Sequence, residues 1–450
     1  MVRKMAQETF EKFFEKLEGE NKENNFKQTE IGLIPEDWEV VRLGEVAYFE
    51  IGKRMKGGAL KSGEVFSIGG EHITDEGNIK FEPLKFVSKD FYLRMKKGKI
   101  KIGDILICKD GAKTGKTALV KYLPYQYCAV NEHVFIVRSK NTNQLINQFL
   151  FFFIYSRYGQ TQIRDAFHGL IGGITQRELF NLLIPLPPLS EQRKIVRVLD
   201  KIQQAIDLQD RIIEQAKRLK KSLMQKLLTE GLYGEEQKET EIGLIPKSWK
   251  VVRLGDDEIL KETQYGLSAR GKKEGKYPIL RMNNLVEGLI SIDDLQFVDL
   301  DKKTFRKFKL EKGDILFNRT NSFELVGKTS IFCLNGDFVF ASYLIRLKLN
   351  SEVINPFFLN FYFNWDITKV RLRGLASRGV SQANISATKL KSFLIPLPPL
   401  EEQKQIAHIL STVDKKIEVE QKRKQVLKAL FKTMLHKLMS GEIRLKEVEI

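Results

Sequence analysis

The sequence predicts an α+β protein made of two similar globular units, each followed by a long helix. Three observations lead there: segments that recur 211 residues downstream, glycine-punctuated β-rich runs that precede helical stretches, and two long tails without proline. The repeat is the firmest of the three.

Residues 29–44 read TEIGLIPEDWEVVRLG and residues 240–255 read TEIGLIPKSWKVVRLG. Residues 184–189 and 395–400 both read IPLPPL, again 211 apart. Two separate matches at one spacing mark a tandem duplication. The segments between the markers, 45–183 and 256–394, are equal in length but mostly disagree. Echoes survive: Gly103-Asp104-Ile105-Leu106 answers Gly313-Asp314-Ile315-Leu316, and Gly115-Lys116-Thr117 answers Gly327-Lys328-Thr329. Strand-like runs at 134–137 and 343–347 precede aromatic-rich helical stretches at 144–158 and 353–365. Short strands followed by helices read as α+β in each unit. A shared scaffold with divergent loops is expected where each unit reads something different.

After each IPLPPL, the pair of prolines excludes helix and Ser190 is placed to cap the helix that follows the first. Apolar residues then recur at spacings of four and three: Ile195, Leu199, Ile202, Ile206, Ile213, Ala216, Leu223 and Leu227. The second copy gives Ile406, Leu410, Val413, Ile417, Leu427, Met434 and Leu438, with Lys424 breaking the match. Gln209 and Glu420 take the central step, where polar residues can fix register. Gly231 and Gly441 stand where each helix should stop. A seam of about five heptads is a coiled-coil signal, so the two helices are expected to pair. The pairing is antiparallel if a two-fold axis relates the units, which the seam alone does not require. A helix of about 38 residues would span roughly 57 Å.

At 450 residues the chain is long enough for two or three domains, and its 42% hydrophobic and 29% charged content is that of a globular protein. Lysine and arginine number 75 against 57 acidic residues, a net charge of +18. That surplus favours a polyanionic partner, nucleic acid or an anionic membrane surface, although solubility or thermal stability would also use it. Cys108, Cys128 and Cys333 are widely separated and suit a reducing cytosol. The longest apolar run, 149–155, is far short of a membrane span, and the N-terminus lacks a signal-peptide core, so a cytoplasmic protein is expected.

The doubled TEIGLIP…VVRLG segment, with IPLPPLSEQRKI and IPLPPLEEQKQI, resembles the specificity subunit of type I restriction–modification systems over about residues 29–443. The resemblance implies target-recognition domains at 29–189 and 233–400, spacer helices at 190–232 and 401–443 forming an antiparallel coiled coil with pseudo-two-fold repeat, and a tail at 444–450. It implies a non-catalytic adapter that binds a bipartite, asymmetric double-stranded DNA site. Two methyltransferase subunits and restriction/translocase subunits would be its partners. S-adenosylmethionine, ATP and Mg would then sit on those partners, with no cofactor on this chain. Two alternatives remain: a system whose nuclease and methyltransferase are fused, and a coiled-coil scaffold with two protein-binding heads. Residues 1–28 exceed what the family needs; Phe10, Phe13, Phe14 and Leu17 lie there at helical spacing, for docking on a partner or as a frayed tail.

Two motifs come close to catalytic patterns and fail. The 111–117 segment resembles a phosphate-binding loop, but the required early glycine is Asp110, and Ser322 in the second copy. A DNA-phosphate loop or a plain β-turn is expected instead. Asn355-Pro356-Phe357-Phe358 approaches the adenine-binding loop of amino-methyltransferases but lacks its second proline, and reads as a helix start. No His/Cys cluster suggests a metal site. Bases are read by Arg and Lys on guanine, Asn and Gln on adenine, and acids on cytosine, best from loops. The first unit offers Lys53, Arg54 and Lys56; Glu71 and His72; Lys109, Lys113 and Lys116; and Gln176 and Arg177. The second offers Tyr265, Ser268 and Arg270; Arg281, Asn283 and Asn284; Asn318, Arg319, Thr320 and Asn321; Lys328; and Arg378, Gln382 and Asn384, with Arg371 and Arg373 nearby.

Overall fold

In the computed structural model the described residues are 25–167, 173–379 and 382–445, so the 1–24 stretch with its phenylalanines lies outside them. The two repeat markers explain one another once the strands are placed. Strand Glu39–Arg42 of the first marker pairs antiparallel with Leu183–Leu186 of the second, putting Val41 opposite Ile184. Lys250–Arg253 and Leu394–Leu397 repeat the arrangement, with Val252 opposite Ile395. A proline is tolerated there because each sheet has only two strands, so the missing N–H falls on an edge.

The chain divides into two units. One takes the chain up to Leu208 together with the segment from Lys424 onward; the other is Gln209–Arg423. The first is built on a four-stranded antiparallel sheet in the order Ala47–Ile51, Val134–Ser139, Ile105–Cys108, Thr117–Leu119. A smaller sheet orders Phe86–Val87, Val65–Ile68 and Tyr127–Val130, the last two parallel. The second unit repeats both: Leu260–Tyr265, Leu344–Leu349, Ile315–Asn318, Thr329–Ile331 in one sheet, and Gln296–Val298, Tyr277–Leu280, Val339–Phe340 in the other. Helices Asn147–Tyr155 and Arg157–Asp165 cover the first unit's core, and Pro356–Asn364 and Asp366–Gly374 the second's. Asn355 starts its helix as read from sequence: its Oδ1 accepts the N–H groups of Phe357 and Phe358, and Pro356 occupies the first turn.

The long helices are Leu189–Thr229 and Leu400–Ser440, 41 residues each. The first begins one residue before Ser190, which is therefore inside the helix and not its cap; of the first-turn donors, Glu191 N–H is taken by the Pro188 carbonyl at 2.9 Å. Within the first unit, Ile195, Leu199 and Ile202 from the early part of the first helix share a core with Met434, Leu435 and Leu438 from the late part of the second. Within the second unit, Met224, Leu227 and Leu228 share a core with Ile406, Ala407 and Leu410. Early residues meet late ones in both, so the helices run antiparallel. The seam is uneven: Ala216, Leu223, Val413 and Leu427 are only half-buried.

Gln209 and Glu420, equivalent residues of the two repeats, meet: Gln209 Nε2 donates to Glu420 Oε2 at 2.7 Å. Lys416 reaches the same buried carboxylate at 2.7 Å and Arg423 at 3.0 Å. Lys416, then Gln209 and Arg423, outweigh burial and hold the Glu420 carboxyl down to about 2. A depressed carboxyl stabilises the fold above the ordinary value of 4.5, and that stability is lost as pH falls through about 2. Lys416 and Arg423 are themselves partly exposed and screened, so the expected contribution is about 1–2 kcal/mol. Urea unfolding at pH 7 and pH 3 should show Glu420→Gln less stable at pH 7, with the gap narrowing at pH 3; a constant gap would refute the assignment.

Gly231 and Gly441 end the helices with φ of 68° and 73°. A Cβ at Gly441 would come within 2.4 Å of the Pro35 ring, and one at Gly231 within 2.6 Å of Glu402 Oε1. Gly441→Ala is therefore expected to cost about 2 kcal/mol in thermal unfolding, since both the conformation and the space exclude a side chain. An unchanged melting temperature would contradict this.

Candidate nucleic-acid interface

The candidate loops leave the sheets at one end in each unit. In the first, strands Ala47–Ile51, Val65–Ile68 and Ile105–Cys108 finish there and Val134–Ser139 begins there. Lys53, Arg54 and Lys56 are exposed beyond the first of these, and Gln176 and Arg177 are exposed in the first turn of helix Gln176–Asn181. Lys109 is fixed through its backbone, its N–H donating to His133 O at 2.8 Å and its carbonyl accepting Ile174 N–H at 2.9 Å. A chain of polar side chains crosses the end of the sheet: Arg54 to Glu132 at 3.7 Å, Glu132 to His133 at 3.4 Å, His133 to Asp110 at 2.7 Å, Asp110 to Lys109 at 3.8 Å. Lys113 Nζ donates to the Glu71 carbonyl at 3.3 Å, and the Glu71 carboxylate pairs with Lys85.

In the second unit Tyr265, Arg319, Thr320 and Asn384 converge. The Arg319 guanidinium lies 4.7 Å over the Tyr265 ring, and its Nη2 faces Asn384 Oδ1 at 3.4 Å. Asn384 Nδ2 donates to Thr320 Oγ1 at 2.7 Å. Strands Thr320–Asn321, Ala383–Asn384 and Ser377–Arg378 form a small sheet here, and the exposed Arg378 stacks 3.9 Å over Phe323. Arg281 lies apart, bonded to Asp294 at 2.8 Å, with Asn283 exposed beside it. Ser268, Arg270 and Gln382 are exposed on loops, and Lys328 sits on the turn that opens strand Thr329–Ile331.

Three sequence candidates point inward instead. His72 and Asn284 are buried and close equivalent turns: Gly69 N–H donates to His72 Nδ1 at 2.9 Å, and Arg281 N–H donates to Asn284 Oδ1 at 2.9 Å. His72 Nε2 is bonded to Pro83 O at 2.8 Å, and Asn284 Nδ2 to Ser291 O at 3.0 Å. Asn318 is the buried last residue of its strand, its Oδ1 accepting Thr320 N–H at 3.2 Å. A short turn after a strand needs a polar side chain to cap it, and that need claims all three. Arg371 is likewise taken, by Tyr362 Oη at 2.6 Å and Leu394 O at 3.0 Å, and Arg373 by Lys369 O at 3.2 Å.

The Gly-Lys-Thr echoes are β-turns. Gly115 and Gly327 donate to Cys108 O and Asn318 O, both at 2.8 Å, and the buried Thr117 and Thr329 hydroxyls donate to the carbonyls of Gly115 and Gly327. Lys116 pairs with Asp75. Sequence reasoning passed over Asp110, His133, Tyr343 and Phe323. The equivalence of His133 and Tyr343 shows only in the backbone bonds: Lys109 N–H donates to His133 O and Arg319 N–H to Tyr343 O.

Basic, amide and aromatic side chains on anchored strand ends, presented twice with different residues, equip a protein to bind nucleic acid. Among the described residues no group of three or more His, Cys, Asp or Glu could hold a metal ion, and no helix is long and apolar enough to cross a membrane. Two copies of the type I restriction modification DNA specificity domain match residues 35–218 and 246–429, and the chain belongs to this family. It is a type I restriction–modification specificity subunit, a subunit that recognises DNA and is not catalytic. It is 30% identical over 446 residues to the type I restriction enzyme MjaX specificity subunit of Methanocaldococcus jannaschii, covering 94% of this chain and 98% of that one. To the EcoKI specificity subunit of Escherichia coli it is 26% identical over 387 residues, 83% and 82% of the two chains. The fold matches the crystal structure of the S subunit from M. genitalium with a TM-score of 0.55 and 17% identity, over 89% of this chain and 96% of that one. A chain from a structural study of complex assembly and conformational transition of the type I R-M system also matches at 0.55, with 20% identity over 91% and 99%.

Proposed function

We propose that the two units each read one half of an interrupted, asymmetric DNA site, and that the chain positions adenine-methyltransferase and restriction subunits on it. One observation carries the reading: the sheet orders are the same in both units, while the residues at the strand ends differ. Identical readers would favour a palindrome; different readers on one scaffold favour two different half-sites. Lys53, Arg54, Lys56, Glu71, Lys109, Lys113, Gln176 and Arg177 are the proposed contacts of the first unit, and Tyr265, Arg281, Asn283, Arg319, Thr320, Asn321, Arg378, Gln382 and Asn384 those of the second. S-adenosylmethionine, ATP and Mg belong, on this reading, to the partner subunits. The test is mapping adenine methylation in cells carrying the partner subunits with and without this chain. An interrupted motif that depends on the chain is expected; no chain-dependent motif would overturn the proposal.

A further inference from the structure

The two units tie down equivalent backbone positions with equivalent hydrogen bonds and then place different side chains on them. Lys109 N–H donates to His133 O at 2.8 Å, and Arg319 N–H donates to Tyr343 O at 3.0 Å. The carbonyls of Lys109 and Arg319 accept Ile174 N–H and Ile385 N–H, both at 2.9 Å. Asp110 bridges to Gly173 where Thr320 pairs with Asn384. Position by position, Lys109 answers Arg319, Asp110 answers Thr320, and His133 answers Tyr343.

We infer that His133 and Tyr343 are specificity-determining residues, and that both half-sites are read from one shared set of backbone positions. The inference rests on the proposed function and adds residues to it. Both side chains stand at the head of a central strand, the His133 side chain 50% and Tyr343 48% exposed, beside the paired Lys109 or Arg319. Neither has an evident packing role: His133 lies on the surface with its ring held by Asp110, and Tyr343 keeps its ring outside the buried core of its unit. A residue held by its backbone at a strand head, with its side chain outside the core, is pre-positioned for a partner. Imidazole and phenol can each donate or accept a hydrogen bond at a base edge, and the tyrosine ring can also contact a thymine methyl. Asp110 is a positioning residue, since it acts by fixing the His133 ring.

The experiment is methylation mapping with the full chain and its methyltransferase partner, comparing His133→Ala, Tyr343→Ala and, as second variants, His133→Leu and Tyr343→Ser. His133→Ala should relax one base of one half-site only, and Tyr343→Ala one base of the other only, each by roughly 5- to 150-fold in relative methylation. Unchanged preferences at both half-sites for folded variants would overturn the inference. If the alanine variants do not fold, unchanged preferences in His133→Leu and Tyr343→Ser overturn it equally, since each removes the hydrogen bond or the ring that the inference invokes. Failure of the wild-type chain to direct any motif would instead overturn the proposed function, so the two failures are distinct.

Discussion

Replacing Arg319 with alanine is expected to abolish discrimination at one base pair of the half-site read by the second unit, leaving the other half-site untouched. The guanidinium is stacked on Tyr265, its Nη2 lies 3.4 Å from Asn384 Oδ1, and its buried Nε has no hydrogen-bond partner among the described residues. A planar donor fork held on an aromatic face is pre-organised for the O6/N7 edge of guanine. Losing such a pair costs about 1–3 kcal/mol of discrimination, equivalent to roughly 5- to 150-fold. Arg319→Lys keeps the charge and loses the fork, so it should retain binding at low salt while losing most of the base preference. Competition binding of the assembled complex against duplexes altered at single positions measures both. Equal weakening across every duplex would show that Arg319 contacts phosphate and does not read a base.

The scaffold was legible in the sequence because its signals are local and doubled. The seam from Ile195 to Leu227 keeps one heptad register, and Gly231 and Gly441 mark the helix ends without any need of tertiary information. Gln209 and Glu420 could be singled out from the seam because a polar residue interrupts an apolar series, and the structure joins them. The recognition loops were less legible because side-chain direction after a strand end depends on which backbone group needs a cap. Glu71 and His72 are neighbours in one turn, yet His72 is consumed by Gly69 and Pro83 while Glu71 stays part-exposed. Nothing in either residue type separates those outcomes. His133 and Tyr343 were missed for a different reason: they head strands, and only pairing the two repeats strand by strand reveals that they are the same position.

The repeat markers carry a second consequence, for stability. The Glu191 side chain, buried in the first turn of the first long helix, accepts Trp38 Nε1–H at 3.1 Å, Arg444 Nε–H at 2.7 Å and Nη2–H at 2.8 Å, and Leu445 N–H at 3.2 Å. Arg444 also reaches Asp37 with two bonds of 2.9 Å. One carboxylate therefore fastens the first marker, the start of one long helix and the chain beyond the other. Among the described residues its counterpart Glu402 accepts from neutral donors, Trp249 Nε1–H and Leu232 N–H, each at 2.9 Å. Removing Glu191 strands the Trp38 and Leu445 donors and leaves the buried Arg444 with Asp37 as its one remaining carboxylate among those bonds, so Glu191→Ala is expected to cost about 2–4 kcal/mol. Glu402→Ala strands two uncharged donors and should cost less, about 1–3 kcal/mol. Hydrogen exchange locates each loss: Glu191→Ala should deprotect amides around strand Glu39–Arg42 and its partner Leu183–Leu186, and Glu402→Ala those around Lys250–Arg253 and Leu394–Leu397. Equal costs for the two variants would mean that the Arg444 ion pair adds nothing beyond the indole bond common to both. A larger cost at Glu191 would give the tryptophan and glutamate of the doubled motif a shared clasping role, strengthened in the first unit by the arginine that follows the second helix.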